Sequence, residues 1–324
     1  MTTLESIQKS ISPELKMLNE RIVGALSTSN KLMNEVVETY LKTKGKQIRP
    51  ILVMLSAKMF GTIDENVISA AAAVEMLHNA SLIHDDVIDE TKERRNNPTI
   101  NCIWDNHIAV LVGDYFVSAA LQQAISTQDS RIIAALSQLG AILSLGEIDQ
   151  IYNAQSHVLS EEAYFNVIKA KTASLFVACV AMGGYAVKAS DDEIEKLKQF
   201  TNLLGLCFQI RDDVFDYFED KKVGKPTGND LREGKITLPL LHVLLNESLP
   251  LHEEMLDLSH KDNLTTEEIA TLINYAKNNG GIEYAYEKMT ELRNQAVEII
   301  KQLPDNEARE AFIAILDYII ARDL

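Results

Sequence analysis

Apolar residues recur along this chain at steps of three and four, the spacing of one face of a helix. In the stretch 68–89, Ala70, Val74, Leu77 and the small Ser81 follow one another turn by turn. The same step predicts helices over 108–125, 132–152, 161–187, 191–218, 266–278 and 281–302. Strict alternation is rare, and no strand is predicted. Helix starts are marked by Ser160 before Glu161 and Glu162, by Ser190 before Asp191, Asp192 and Glu193, and by Thr265 before Glu267 and Glu268. In each, a hydroxyl cap precedes a first turn rich in acid. Stops are expected at Gly61, Gly140, the Gly183–Gly184 pair and Gly280–Gly281. Two polar stretches, 90–101 and 220–235, read as loops, and each directly follows an aspartate cluster.

Composition supports helices. Only 14 Gly and 7 Pro interrupt 324 residues, and 46% of the chain is apolar, enough for a sizeable core. No shift in composition marks a linker, so the simplest expectation is one all-α domain over residues 1–324. Lys and Arg total 31 against 47 Asp and Glu, a net charge of −16 that argues against a nucleic-acid partner. Cys102, Cys179 and Cys207 are widely spaced and form no CxxC pair, so they read as buried or partly buried thiols of a reducing compartment. The opening MTTLESIQKS carries no leader pattern, and the apolar stretch 175–187 falls short of the roughly 20 residues a membrane span needs. A cytoplasmic protein without a transmembrane segment is the expectation.

The chemistry is concentrated in two clusters. Asp85, Asp86 and Asp89 stand in HDDVID, and Asp212, Asp213 and Asp216 stand in RDDVFD. On a helix, positions i and i+4 share a face, so each motif presents carboxylates in parallel from one surface. Like charges in that register oppose a helix, and here they lie among Ile83, Val87 and Ile88, or Ile210, Val214 and Phe215. Carboxylates crowded beside apolar side chains need cations. Oxygen donors with no Cys nearby and a single imidazole, His84, suit Mg²⁺ better than zinc. A lone DDxxD is most often a solvated acidic face; two with the same apolar filling, each followed by a basic loop, are not explained that way.

Cations lie near the acids in sequence. Gly45, Lys46, Arg49 and Pro50 make a compact basic turn, GKQIRP. Arg94 and Arg95 follow the first cluster, Lys171 and Thr172 sit in KAKTASLF, and Lys225 and Lys235 follow the second cluster. Arg offers phosphate a planar fork and Lys a point charge.

Taken together, GKQIRP, EMLHNASLIHDDVIDETKERRNNPT, LVGDYF, GEIDQ, KAKTASLF, FQIRDDVFDYFED and VGKPTGNDLREGKITLPLL resemble the trans-isoprenyl diphosphate synthase, or polyprenyl synthetase, family. The matching stretches run from Gly45 to about Leu241; the flanks are similar only in being helical. The resemblance implies a single-domain bundle of about 10–14 helices around a central cavity. It implies three Mg²⁺ ions that bridge substrate diphosphate: two bound by Asp85 and Asp89 with Asp86 in support, and a third bound by Asp212 with Asp216 helping through water, Asp213 being a further catalytic member of that cluster. Arg94, Lys171, Thr172, Gln209, Lys225 and Lys235 would hold the allylic diphosphate or face its cleavable bond. Gly45, Lys46, Arg49, His78 and Arg95 would hold isopentenyl diphosphate. The expected reaction is head-to-tail addition: an allylic carbocation forms, the isopentenyl double bond attacks it, and the released diphosphate accepts the proton. A homodimer, with peripheral membrane contact for product release, is implied by the family alone. One departure is Asn96, where the family commonly has Gly; Asn tolerates left-handed geometry.

In a site of this type the growing tail runs beside the first acid helix toward its N-terminus. Ala80 and Ser81, five and four residues before Asp85, are small, and Met76 and Leu77 a turn further on include no aromatic. At one isoprene unit per ~5.4 Å helical turn, the expectation is a product longer than farnesyl, of about seven to nine units. The alternatives are a short-chain farnesyl or geranylgeranyl diphosphate synthase, a class I terpene cyclase and a non-catalytic helical subunit. The cyclase would carry an Asn/Ser/Glu second motif in place of RDDVFD, and the subunit would have lost some of the acids or cations. Phenylalanine at Ala80 or Ser81 is expected to shorten the product.

Overall fold

A computed structural model of the chain describes residues 4–42, 45–94, 97–218, 227–261 and 263–321. They are overwhelmingly α-helical, in the order α1 (Leu4–Ser10), α2 (Ser12–Leu26), α3 (Lys31–Leu41), α4 (Ile48–Phe60), α5 (Glu65–Ile88), α6 (Ile100–Ile103), α7 (Asn106–Ser126), α8 (Ser130–Gln155) and α9 (Glu161–Ile168). A π-helical turn, Lys169–Ala173, joins α9 to α10 (Ser174–Ala186). Then come α11 (Asp191–Phe215), α12 (Asn229–Arg232), α13 (Leu238–Leu244), α14 (His252–Ser259), α15 (Thr266–Asn278), α16 (Gly281–Ile300) and α17 (Glu307–Ala321). The chain divides into two compact units. One comprises Met1–Ala141, Leu175–Gln199 and Ile300–Ala314, the other Ile142–Ser174, Phe200–Ile299 and Ile315–Leu324.

The first unit is organised around α5. Val67, Ile68, Ala70 to Val74 and Met76 are buried on every side of the helix, so α5 must be surrounded, and it packs against α2, α4 and α7. Four consecutive alanines, Ala70 to Ala73, let those neighbours approach closely. The Asp64 carboxylate caps α5 by accepting from Val67 N at 3.0 Å, and Asp105 caps α7 by accepting from Ile108 N at 2.9 Å. Within the same unit the Ser56 hydroxyl donates to the Val180 carbonyl at 2.7 Å.

The second unit has its own core. Leu240, Val243 and Leu244 of α13 pack with Ile269, Leu272, Ile273 and Ala276 of α15 around Tyr217. Tyr217 is held by the Thr237 hydroxyl at 3.0 Å and accepts Leu240 N–H at 3.2 Å. Helix α15 starts on a capping box of Thr265 and Glu268.

Most helix starts and ends agree with the sequence reading to within a few residues. Ser160 caps α9 by accepting Ala163 N at 3.2 Å, Ser190 accepts Glu193 N at 3.4 Å, and Gly61 ends α4. The exceptions have physical causes. Gly140 lies inside α8, and Gly183 and Gly184 lie inside α10, so none of the three is a stop. A Cβ at Gly183 would fall 2.3 Å from the Val53 carbonyl oxygen, and one at Gly184 would fall 2.8 Å from the Ile194 side chain. These glycines therefore serve close helix contact. The helix expected over 161–187 is interrupted by the π-turn. Residues 93–98 hold a two-residue antiparallel pair, Glu93 against Pro98 and Arg94 against Asn97, where only a loop was expected. Cys179 and Cys207 are buried, but Cys102 is exposed. By length and composition three helical runs, Asn106–Ser126, Ser130–Gln155 and Glu161–Ala186, are apolar enough to cross a membrane, longer than the stretch 175–187 considered from the sequence.

Gly183→Ala is expected to destabilise the chain by about 1–3 kcal/mol through overpacking, measured as a lower urea midpoint with an unchanged slope.

Candidate functional site

Both acid clusters share one design: the middle carboxylate is buried and held by the chain's own donors, and the outer ones are more accessible. In the first unit Asp86 is 4% exposed near the end of α5. Its Oδ1 accepts from Arg94 Nε at 2.8 Å and pairs with Arg94 Nη2 at 2.8 Å. The strand pair at 93–98 is what returns Arg94 to α5. The Asp86 carbonyl accepts from the Asn101 amide at 3.1 Å, fixing the far end of the same loop. Burial pushes the Asp86 carboxyl above its usual range, against the opposing pull of Arg94. Asp85 is half-buried and Asp89, just past the helix end, is exposed.

The same unit carries the basic turn. Gln47 adopts left-handed backbone geometry (φ 52°) at the start of α4, and its amide donates to Asn19 Oδ1 at 3.0 Å. The Lys46 carbonyl is held by Gln8 Nε2 at 2.9 Å. The Arg49 guanidinium lies 5.8 Å from the centre of the Phe176 ring. His78 is buried on α5, and Ser81 Oγ donates to its carbonyl at 2.9 Å. Ala80 and Met76 are packed into the core, with Leu77 nearly so; Ser81 is the more accessible of the four.

In the second unit, α11 meets α9 and the π-turn at three successive turns. At Gly205 a Cβ would lie 2.5 Å from Ala173 Cα, so only glycine allows this approach. One turn on, Gln209 Oε1 accepts from Thr172 Oγ1 at 2.6 Å. Gln209 Nε2 donates to Asp213 Oδ1 at 2.7 Å, and Tyr164 OH donates to Asp213 Oδ2 at 2.6 Å. The π-turn is the kind of helix irregularity that recurs at functional sites. It lets Thr172 reach Gln209 while the adjacent Lys171 Nζ pairs with Glu147 and donates to Gln150 Oε1 at 3.1 Å.

The loop after the second cluster is anchored by Asp216. Its carbonyl accepts Gly228 N at 2.9 Å. Its carboxylate oxygens accept Asn229 N and Asp230 N, each at 3.0 Å, capping α12. Gly228 has φ 77°, and a Cβ there would strike Ile269 at 2.3 Å. Asp212 is exposed. Lys171, Thr172, Gln209, Asp213 and Lys235 line one cavity of about 250 Å³, together with Tyr164, His157 and Asp230. Burial, then its charged neighbours Asp212 and Asp216, push Asp213 up to about 7 against the pull of Tyr164 and Gln209. Asp230 is likewise driven well above the carboxylate range by burial and by Asp213 and Asp216. A cluster that resists its own ionisation in this way is relieved by a bound cation.

Among the described residues no three His, Cys, Asp or Glu side chains form a ready-made metal cage. The donor set instead suits an ion that takes one or two carboxylates from the protein and the rest from substrate phosphate. Arg95 and Lys225, expected to bind diphosphate, lie outside the described residues. Four residues that sequence reading passed over belong to the site. Tyr164 and Asp230 hold or adjoin the second cluster, and Glu147 and Gln150 hold Lys171. The last two were visible as GEIDQ, an i,i+3 pair without an assigned role; Tyr164, seven residues before Lys171, gave no signal.

Residues 30–276 match the sequence model of a family described as Polyprenyl synthetase. The chain is 31% identical over 319 residues to the octaprenyl diphosphate synthase of Haemophilus influenzae, covering 97% of this chain and 96% of that protein. A decaprenyl diphosphate synthase structure from Rhodobacter capsulatus matches with a TM-score of 0.92 at 29% identity, over 98% of this chain and 99% of that one. A geranylgeranyl pyrophosphate synthase structure from Bacteroides thetaiotaomicron matches at 0.84 with 37% identity, over 98% of both chains.

Asp216→Ala removes two cap hydrogen bonds, an expected cost of about 0.5–2 kcal/mol. Amide hydrogen exchange should rise across residues 228–235 with little change in the first unit.

Proposed function

Because the chain belongs to the polyprenyl synthetase family, we propose that it condenses isopentenyl diphosphate head-to-tail with farnesyl or geranylgeranyl diphosphate, giving a long-chain all-trans polyprenyl diphosphate and diphosphate. The observation that carries this reading is the shared design of the two acid clusters: a buried middle acid held by the chain's own donors, and outer acids at more accessible positions. The family match takes in both units, which supports reading residues 1–324 as one isoprenoid synthase domain.

Asp85, Asp89, Asp212 and Asp216 are the residues that would hold Mg²⁺, three ions by family resemblance. Mg²⁺ bound there would neutralise the departing diphosphate. The remaining tasks fall to the chain's own side chains. Lys171 and Lys235 place positive charge at the cavity for phosphate oxygens; Arg94 and Lys225 are assigned to the allylic diphosphate by the family resemblance. Arg94 also braces Asp86, so diphosphate and Asp86 would share one guanidinium. Thr172 and Gln209 line the cavity, and the family resemblance assigns their polar oxygens to the cleavable bond, where positive charge would develop. Gly45, Lys46, Arg49, His78 and Arg95 are assigned to the isopentenyl diphosphate, held by charge alone. None of the residues around the cavity is needed as the base, because the released diphosphate can accept the proton.

A long product is favoured by the small residues beside the first cluster and by the octaprenyl diphosphate synthase relative. The geranylgeranyl pyrophosphate synthase of similar structure supports the short-chain alternative. Purified protein with Mg²⁺, isopentenyl diphosphate and farnesyl diphosphate should release diphosphate and yield a product beyond geranylgeranyl on chromatography. Farnesyl or geranylgeranyl as the end point would contradict the long-chain assignment. No diphosphate release would favour a non-catalytic subunit, and a cyclic hydrocarbon from geranylgeranyl diphosphate alone would favour a cyclase. Ala80 is buried, so phenylalanine there also overpacks the core; Ser81→Phe is the cleaner probe and should shorten the product while leaving stability within about 1 kcal/mol.

A cytoplasmic homodimer is the proposed state, with peripheral membrane contact when product leaves. Helix α7 exposes a stripe of Val110, Leu111, Val117, Leu121 and Ile125, and α8 exposes Leu145, Ile148 and Tyr152. Apolar area of this extent on an isolated chain marks an association surface. Leu121→Glu should shift sedimentation velocity from dimer toward monomer, and a wild-type monomer would remove the dimer.

A further inference from the structure

The side chains along the cavity wall of the second unit form a directed chain of hydrogen bonds. Tyr164 OH donates to Asp213 Oδ2, Gln209 Nε2 donates to Asp213 Oδ1, and Thr172 Oγ1 donates to Gln209 Oε1, all within 2.6–2.7 Å. Tyr164, Asp213 and Thr172 are buried, so water does not readily replace a lost partner. In this arrangement both Asp213 oxygens accept, so Gln209 presents its N–H to Asp213, its carbonyl faces the other way, and the Thr172 hydroxyl donates to that carbonyl.

We infer that Tyr164 is a positioning residue of the reaction proposed above: by holding Asp213 Oδ2 it keeps Oδ1 aimed at Gln209, and so locks the Gln209 amide with its carbonyl, not its N–H, on the Thr172 side of the cavity wall. The inference rests on that reading for its chemistry and on the hydrogen bonds for its geometry. The amide matters because its two ends carry opposite partial charge. A carbonyl end favours nearby positive charge as the allylic cation develops, and a reversed amide opposes it. Without the Tyr164 hydroxyl, the Asp213 carboxylate loses one of its two anchors and is free to rotate. Gln209 then has no fixed acceptor and can turn over. The phosphate-facing cations Lys171 and Lys235 are not members of this chain of bonds, so substrate binding should be spared. Tyr164, Asp213, Gln209 and Thr172 all line the cavity, but the Tyr164 hydroxyl is spent on Asp213 Oδ2, so it acts on the amide through that carboxylate.

The test is a kinetic cycle on the full-length enzyme with Mg²⁺, isopentenyl diphosphate and farnesyl diphosphate, using single-turnover assays sensitive enough for slow variants. Tyr164→Phe keeps the ring and removes the hydroxyl. It should lower kcat by about tenfold or more while both KM values stay within about twofold. In a Gln209→Ala background the same substitution should change kcat less than about twofold, because the group it acts through is gone. Unchanged kcat in Tyr164→Phe overturns the inference, and so does an equal loss in both backgrounds, which is what a merely structural tyrosine would give. If the wild-type enzyme itself shows no turnover, the proposed function fails, and that outcome is separate from a normal wild type with an indifferent Tyr164→Phe.

Discussion

Everything in this protein turns on keeping carboxylates together inside apolar helical surroundings. The acids at i, i+1 and i+4 repel one another and lose hydration, and both effects favour protonation or unfolding. The chain solves half of the problem internally. In each cluster it buries the middle acid and gives it dedicated donors, a guanidinium in one and a phenol plus an amide in the other. The two solutions use different chemistry for the same end, which shows that the requirement is satisfaction of the middle acid and not a particular partner. The other half is eased by position: Asp89 and Asp212 are exposed and Asp85 and Asp216 half-buried, where solvent lessens both penalties.

That division explains how the surrounding loops are built. Segments that follow each cluster in sequence fold back onto it: residues 93–98 return Arg94 to Asp86, and residues 228–230 return backbone N–H groups to Asp216. Each acid helix is thus braced by its own downstream chain within its own unit. Asp216 gives both of its carboxylate oxygens to the first backbone N–H groups of α12, so the acid and the loop hold each other in place.

Much of this was legible beforehand, and what was not shares a cause. Helix positions, the caps at Ser160 and Thr265, and both acid clusters follow from local sequence, since periodicity and capping act over a few residues. Gly183 and Gly184 misled as stops because glycine in a helix interior signals either an end or a close neighbour, and only the fold tells which; Gly140 marks neither, since a Cβ there would meet nothing within 4 Å. The π-turn was invisible for the same reason: nothing in KAKTA differs from ordinary helix, and it is the contact at Gly205 that accompanies the distortion. Tyr164 gave no signal because its importance lies in a partner 49 residues away.

The π-turn has one further consequence. An extra residue in a single turn rotates all that follows by roughly a quarter of a circle relative to a regular helix. Within the turn itself neighbours in sequence address different targets: Lys171 the acidic side of α8, Thr172 the amide on α11. A variant with one residue deleted from 169–173 could form a smoother and more stable rod, yet its lysine and threonine would no longer both be aimed correctly. Regularity and aim compete in this segment, so selection for thermal robustness alone would be expected to erase the irregularity.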